Sequence, residues 1–175
     1  MQVFIWLIVI AFIAGVIAFF VKVLSHSTKE IIKQSEDKGR FNASITSNMK
    51  HVNGLPIAKG MMTTVYYCPT KLVFVAGEQE FTLDKSRIQS ISTATGSDIS
   101  SKVTGAAAGA LIFGGLTGAV VGSLMGATLY FIVVYEKNGE IKSILLDTDM
   151  SIHNANRIKD KFNSEKGIES KQIEL

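Results

Sequence analysis

The sequence predicts an α+β protein: an N-terminal transmembrane helix, then an antiparallel β-sheet domain capped by a C-terminal helix and interrupted by a glycine-rich helical hairpin. Three observations carry this prediction. Val3 to Val21 is an uncharged apolar run, short β-rich runs bounded by turn signals occupy residues 61–95 and 129–147, and residues 103–134 carry no charge while repeating glycine at a four-residue interval. The predicted organisation is an anchor over 1–24, a juxtamembrane helix and linker over 25–53, a sheet domain over 54–163 with an insertion at 103–127, and a flexible polar tail over 164–175.

Taken in order, Val3 to Val21 covers ~28 Å as a helix, about the thickness of one hydrocarbon core. A cleaved leader is the rival reading. Against it, no Lys or Arg precedes the apolar run, and LSHST offers no small-x-small exit. Lys22, Lys29, Lys33, Lys38 and Arg40 follow the run, whereas only the α-amino group precedes it. The positive-inside rule then places the rest of the chain in the cytoplasm, giving a protein of the cell's inner (plasma) membrane with one N-terminal anchor. Residues 25–53 are polar and mixed in charge, which reads as a short helix running into a solvated linker.

From Gly60 the pattern becomes strand-like: MMTTVYYC (61–68), KLVFVA (71–76), EFTLD (80–84) and RIQSISTAT (87–95). Cys68-Pro69-Thr70-Lys71 is a tight turn, and Gly77-Glu78-Gln79 is a second hairpin connection. The expected result is a four-stranded antiparallel meander with one apolar face.

Next comes the uncharged segment. Gly114, Gly118, Gly122 and Gly126 recur every four residues, and Gly105 and Gly109 repeat the spacing upstream, displaced by one at Gly114-Gly115. On a helix, positions four apart share a face, so these six glycines form a bare groove for close helix packing. Each glycine costs roughly 0.8–1 kcal/mol against alanine in a helix, so packing or lipid must offset it. Residues 105–114 reach only ~15 Å and 115–127 only ~20 Å as helices, so each arm falls short of a bilayer. A membrane hairpin and a hairpin of small-residue helices packed under the sheet both remain open.

LYFIVVYE (129–136) and IKSILLD (141–147) flank Lys137-Asn138-Gly139-Glu140, and Asn-Gly between apolar runs is a strong hairpin signal. Asp149 or Ser151 can then cap a helix whose Ile152, Ala155, Ile158 and Phe162 lie on one face. Residues 128–163 alone are too little to bury a core, so they must join the strands before the insertion. The glycine segment therefore enters and returns, or never enters, the membrane.

Several chemistries are absent from the sequence. A formal charge of +3 without basic–aromatic clustering argues against nucleic acid. The single cysteine, Cys68, excludes an internal disulfide and reads as a small buried residue. His26, His51 and His153 are scattered without metal-ligand spacing. There is no GxSxG elbow, phosphate loop or G-x-G-x-x-G. The expectation is a non-enzyme with no cofactor, no metal and no evident small-molecule substrate.

The order GMMTTVYYCPTKLVFVAGEQEFTLDKSRIQSIS, an interruption, then LYFIVVYEKNGEIKSILLDTDMSIHNANRIKDKF resembles a bacterial pleckstrin-homology-like (PH-like, GRAM-related) domain. The glycine repeat resembles glycine-zipper segments of bacterial membrane proteins. The first resemblance covers about residues 54–163 and implies a bent antiparallel barrel of two sheets capped by one helix. It departs from the family in the insertion between the fourth and fifth strands and in a very short first hairpin at Pro69-Thr70, which argues against inositol-lipid recognition. Two functions remain. One is a membrane-anchored interaction or scaffold module that self-associates or recruits a membrane-protein partner; the alternative is an oligomeric membrane-inserting, pore-forming or gating protein built on the glycine segment. The lack of pore-lining charges favours the first.

Overall fold

The computed structural model describes residues 15–16, 32–99 and 126–172. The chain divides into two units, Met1–Arg40 and Phe41–Leu175. In the first, residues 32–40 are helical, and Asp37 pairs with Arg40 one turn on at 3.2 Å. No helix among the described residues is long and apolar enough to cross a membrane. The predicted anchor lies outside the described residues except for Gly15 and Val16, which are helical.

The second unit is α+β. Its strands are β1 (Ile45–Asn53), β2 (Met62–Tyr67), β3 (Lys71–Ala76), β4 (Gln79–Asp84), β5 (Ile88–Thr95), β6 (Leu129–Lys137) and β7 (Glu140–Asp147), followed by a C-terminal helix (Ile152–Gln172). They form one seven-stranded sheet in the order β4-β3-β2-β1-β7-β6-β5, antiparallel throughout. The turns follow the sequence. Cys68 N–H bonds the Lys71 carbonyl across Pro69-Thr70 at 3.0 Å, and Asn138 and Gly139 both take positive φ (57° and 78°), the mirror-image turn whose twist matches the strands.

A flat sheet of this order would separate β4 from β5 by ~29 Å, at ~4.8 Å per strand spacing. Yet β4 ends at Asp84 and β5 begins at Ile88 after one 3₁₀ turn (Lys85–Arg87). Four residues span at most ~14 Å. The sheet must therefore curl until its two edges approach, although no strand pairing joins β4 to β5. Side chains from all seven strands line the concave face, among them Met49, Val65, Phe74, Leu83, Ile91, Phe131 and Leu146, and Ala155, Ile158 and Phe162 of the helix join them. Fully burying each large side chain contributes about 1.5–3 kcal/mol.

Several expectations are corrected. Residues 45–53, read as linker, form the strand that joins the two halves, pairing with β2 on one side and β7 on the other. Its inward positions Ile45, Ser47, Met49 and His51 are all buried, but two of them are polar, which masks the alternation that marks a strand. The first hairpin connection is accordingly residues 54–61, not Pro69-Thr70, and the insertion falls between the fifth and sixth strands. The tail read as flexible from residue 164 continues the helix to Gln172. Asp149 caps nothing by side chain: it has φ +36° and binds Lys50 Nζ at 2.7 Å, and Ile152 is exposed. The expectation that the halves flanking the insertion meet in one sheet agrees with the β5–β6 and β1–β7 pairings.

Candidate functional site

A cleft of about 380 Å³ is lined by residues of the β1–β2 loop, of β3, β4, β6 and β7, and of the 3₁₀ turn. Phe74, Leu83 and Ile144 line it from the core, the half-buried Leu55, Phe81 and Tyr135 flank them, and two cations, Arg87 and Lys137, with one carboxylate, Glu80, stand at the rim. The volume falls within the range of ligand pockets, ~300–1,000 Å³. Arg87 is held in place, its Nε donating to the Glu136 carbonyl at 3.1 Å. Such a recess suits one apolar side chain or short acyl group whose neighbour is anionic.

Residues of the β1–β2 loop build one wall, and two features of the sequence shape that loop. Gly54 has φ +97°, and a Cβ there would sit 2.0 Å from the Ser143 carbonyl oxygen and 2.7 Å from Ile144 Cα. Only glycine permits that approach. His51 then pins the loop from inside: Leu55 N–H donates to Nε2 at 3.2 Å, so the proton is on Nδ1, which donates to the Ala58 carbonyl at 3.2 Å. The imidazole is a neutral, buried strut that sets Leu55 at the cleft wall.

A second constellation lies by a cavity of about 470 Å³ lined in part by Asp84, Lys85, Phe162 and Glu165. Glu165 Oε2 accepts from Tyr67 Oη at 2.6 Å and from Lys85 Nζ at 2.8 Å. The Lys85 ammonium also lies 3.7 Å from the Tyr67 ring centroid, a cation–π contact. Burial, and then the Glu165 carboxylate, push the Tyr67 phenol far above its ordinary value. Burial alone would raise Glu165, but donation from Lys85 and Tyr67 outweighs it and holds the carboxyl below its ordinary value. A neutral phenol, a committed lysine and a doubly bonded carboxylate tie the helix to β2 and the 3₁₀ turn.

The third feature is the base of the insertion. Thr95 pairs with Leu129, Gly96 N–H bonds the Thr128 carbonyl at 3.1 Å, and Ser97 N–H bonds that of Gly126 at 3.2 Å. The chain thus leaves and rejoins the sheet at adjacent points. It leaves as a helix: residues 96–99 are helical, Asp98 N–H donates to Thr95 Oγ1 at 3.2 Å, and Thr95 N–H donates to Asp98 Oδ2 at 3.3 Å. This reciprocal pair is a capping box, present in the sequence as Thr95-Gly96-Ser97-Asp98 and missed by the reading from pattern.

Of the predicted packing glycines, Gly105, Gly109, Gly114, Gly118 and Gly122 lie outside the described residues. Gly126 is exposed in the turn before β6, offers its carbonyl to Ser97, and has nothing within 4 Å of where a Cβ would stand. Cys68 is buried, and burial pushes its thiol up despite Lys71 and Lys85 nearby. His51, one of three histidines scattered in the sequence, lies on β1 and braces the loop that lines the cleft without lining it itself. No group of His, Cys, Asp and Glu among the described residues could hold a metal ion. No family model and no curated protein matches the chain.

Proposed function

We propose that the protein is a membrane-anchored, non-enzymatic interaction module: a PH-like domain carried on an N-terminal anchor at the cytoplasmic face of the inner membrane, self-associating or recruiting a membrane-protein partner. The observation that carries this reading is the closed base of the insertion, where Gly96 and Ser97 bond Thr128 and Gly126. An apolar, glycine-rich segment thereby leaves and rejoins the sheet at adjacent points, with the strands that flank it paired beneath it. A curled antiparallel sheet followed by one C-terminal helix supports the PH-like reading, which implies a bent, helix-capped antiparallel barrel, although the strands form one sheet and not two. The corrected first hairpin connection, residues 54–61 with Lys59, also removes the objection that this connection is too short for ligand contact. The apolar cleft would hold a partner's side chain, with Arg87 and Lys137 selecting an acidic neighbour.

Two measurements test the reading. The chain should resist carbonate extraction and retain its N-terminus by mass. Gly118→Leu with Gly122→Leu should abolish self-association in detergent, whereas Val120→Leu with Val121→Leu should not. Extraction by carbonate would overturn the anchored reading, and unchanged assembly in the glycine variant would overturn self-association through the glycine face.

A further inference from the structure

The convex face of β5–β6–β7 is apolar and buried. Tyr130, Ile132 and Val134 of β6 and Leu145 of β7 are each no more than 4 % exposed, with Val52, Ala94 and Ile141 packed around them. These residues alternate with Phe131, Val133 and Leu146, which belong to the concave core, so β6 and β7 are buried on both faces. That is why LYFIVV and ILL read as continuous apolar runs instead of alternating ones. Every described member of the convex cluster belongs to the sheet except Ile99, itself fully buried. One isoleucine cannot cover a patch measuring ~14 Å along β6 and ~14 Å from β1 to β5.

We propose that this chain's own residues 100–125 cover that face as a helical layer, and that the cover is intramolecular. Where the segment starts argues for this occupant. The capping box begins a helix at Gly96 directly beside the patch, and Ile99, in its first turn, already lies in the cluster. Continued helix puts Val103, Ala106, Ala110 and Phe113 on the side of Ile99, an apolar stripe of mostly small residues that allows close approach to a sheet. The return point agrees: the chain re-enters at Gly126, hydrogen-bonded to Ser97 beside the same patch. Lengths are sufficient as well, since a helix from Ile99 to Phe113 would reach ~21 Å, more than the ~14 Å of the patch. On such a helix Gly105 and Gly109 would fall on a neighbouring side, away from the stripe that continues Ile99. This inference does not rest on self-association or on the anchor, and it gives the glycine segment a fixed seat on the domain.

Alkylation of Val134→Cys in the full chain in detergent tests it, with buried Cys68 as the internal control for folding. Both thiols are expected to be unreactive. Replacing residues 100–125 with a Gly/Ser linker should speed labelling at position 134 at least tenfold while Cys68 stays protected. Persistent protection, or rapid labelling in the full chain, would overturn the proposal. So would protection lost on removing residues 1–31, which would make the N-terminal segment the cover, or protection that falls on dilution, which would make it a second copy. Should the shortened chain expose Cys68 as well, the intact chain decides: a diazirine-bearing leucine analogue at Leu145 should crosslink to residues 100–125. Mixing isotope-labelled and unlabelled copies should show that crosslink within one molecule. A crosslink to lipid, to another copy or to another segment refutes the docking.

Discussion

Removing the Glu165 carboxylate separates a helix that ends near residue 163 from one that is fastened through Glu165. Glu165→Ala leaves the Tyr67 hydroxyl, on a residue only 1 % exposed, without its acceptor. A buried donor stripped of its partner costs about 1–3 kcal/mol. The Lys85 ion pair adds less, because the Glu165 side chain is 41 % exposed, and such pairs contribute at most about 1 kcal/mol. The expected loss is about 2–3 kcal/mol, or roughly 10 °C in Tm for a unit of this size. Urea unfolding followed by circular dichroism measures it, with Asp160→Ala as an exposed control expected within about 0.5 kcal/mol. In a Tyr67→Phe background the same substitution should cost at most about 1 kcal/mol, a coupling that identifies the shared bond. A loss below about 0.5 kcal/mol, or equal losses in both backgrounds, would refute the role assigned to this cluster.

The same cluster fixes the pH limits of stability. Glu165 is depressed in the folded state, so its contribution is present above the ordinary carboxylate value and is lost as pH falls through the folded one. Tyr67 is raised, so its contribution is present below about 10 and is lost as the unfolded phenol ionises above that. The acid limb should flatten in Glu165→Ala. Tyr67 should develop no tyrosinate absorbance until the protein unfolds, so Tyr67→Phe should leave the absorbance of the folded protein at high pH unchanged.

Other expectations are more local. Gly54→Ala should cost more than about 3 kcal/mol or prevent folding, because its Cβ would enter the Ser143 backbone, whereas Gly77→Ala, at φ +62° but in open space, should cost about 1 kcal/mol; equal losses in urea titrations would refute the close approach. His51→Ala should lower stability by about 1–3 kcal/mol by stranding Leu55 N–H, the Ala58 carbonyl keeping its bond from Met61 N–H, and should speed hydrogen exchange at Leu55; an unchanged exchange rate there contradicts the strut. Native Cys68 should react with alkylating reagents only at the rate of unfolding, because burial both shields the thiol and disfavours its thiolate.

Most strands were legible because turn chemistry bounds them. Gly77 and Asn138-Gly139 take a positive φ that few other residues adopt, Pro69 suits a tight turn by its fixed φ, and each sits where the structure turns. β1 was illegible because Ser47 and His51 occupy inward positions that the pattern requires to be apolar. His51 is tolerated there because both ring nitrogens are satisfied by the loop it braces, a fact set by tertiary contacts alone. The cleft was hidden for the same reason, since its wall follows β1. The helix past residue 163 was read as frayed because it lacks further apolar spacing, yet Glu165 fastens it through polar bonds that periodicity does not register. The capping box at Thr95-Gly96-Ser97-Asp98 is a local signal, but no apolar–polar periodicity follows it within the glycine repeat to mark a helix.

The position of the insertion follows from chain statistics and the sheet together. Loop closure cost grows only logarithmically, about 0.6 kcal/mol for each doubling of length, so a long excursion between β5 and β6 is inexpensive if its ends are held. They are held by the β5–β6 ladder, which runs from Ile88↔Tyr135 to Thr95↔Leu129, and by the Gly96–Thr128 and Ser97–Gly126 bonds beyond it. A one-way passage of residues 100–125 across a bilayer would place β5 and β6 on opposite sides and forfeit that entire ladder. It would also strand β6 and β7 from β1, whose Lys50↔Asp147 and His51↔Leu146 pairings join the halves of the sheet. The stability of the sheet therefore requires that whatever the glycine segment packs against, it leaves and returns on the side where the sheet lies.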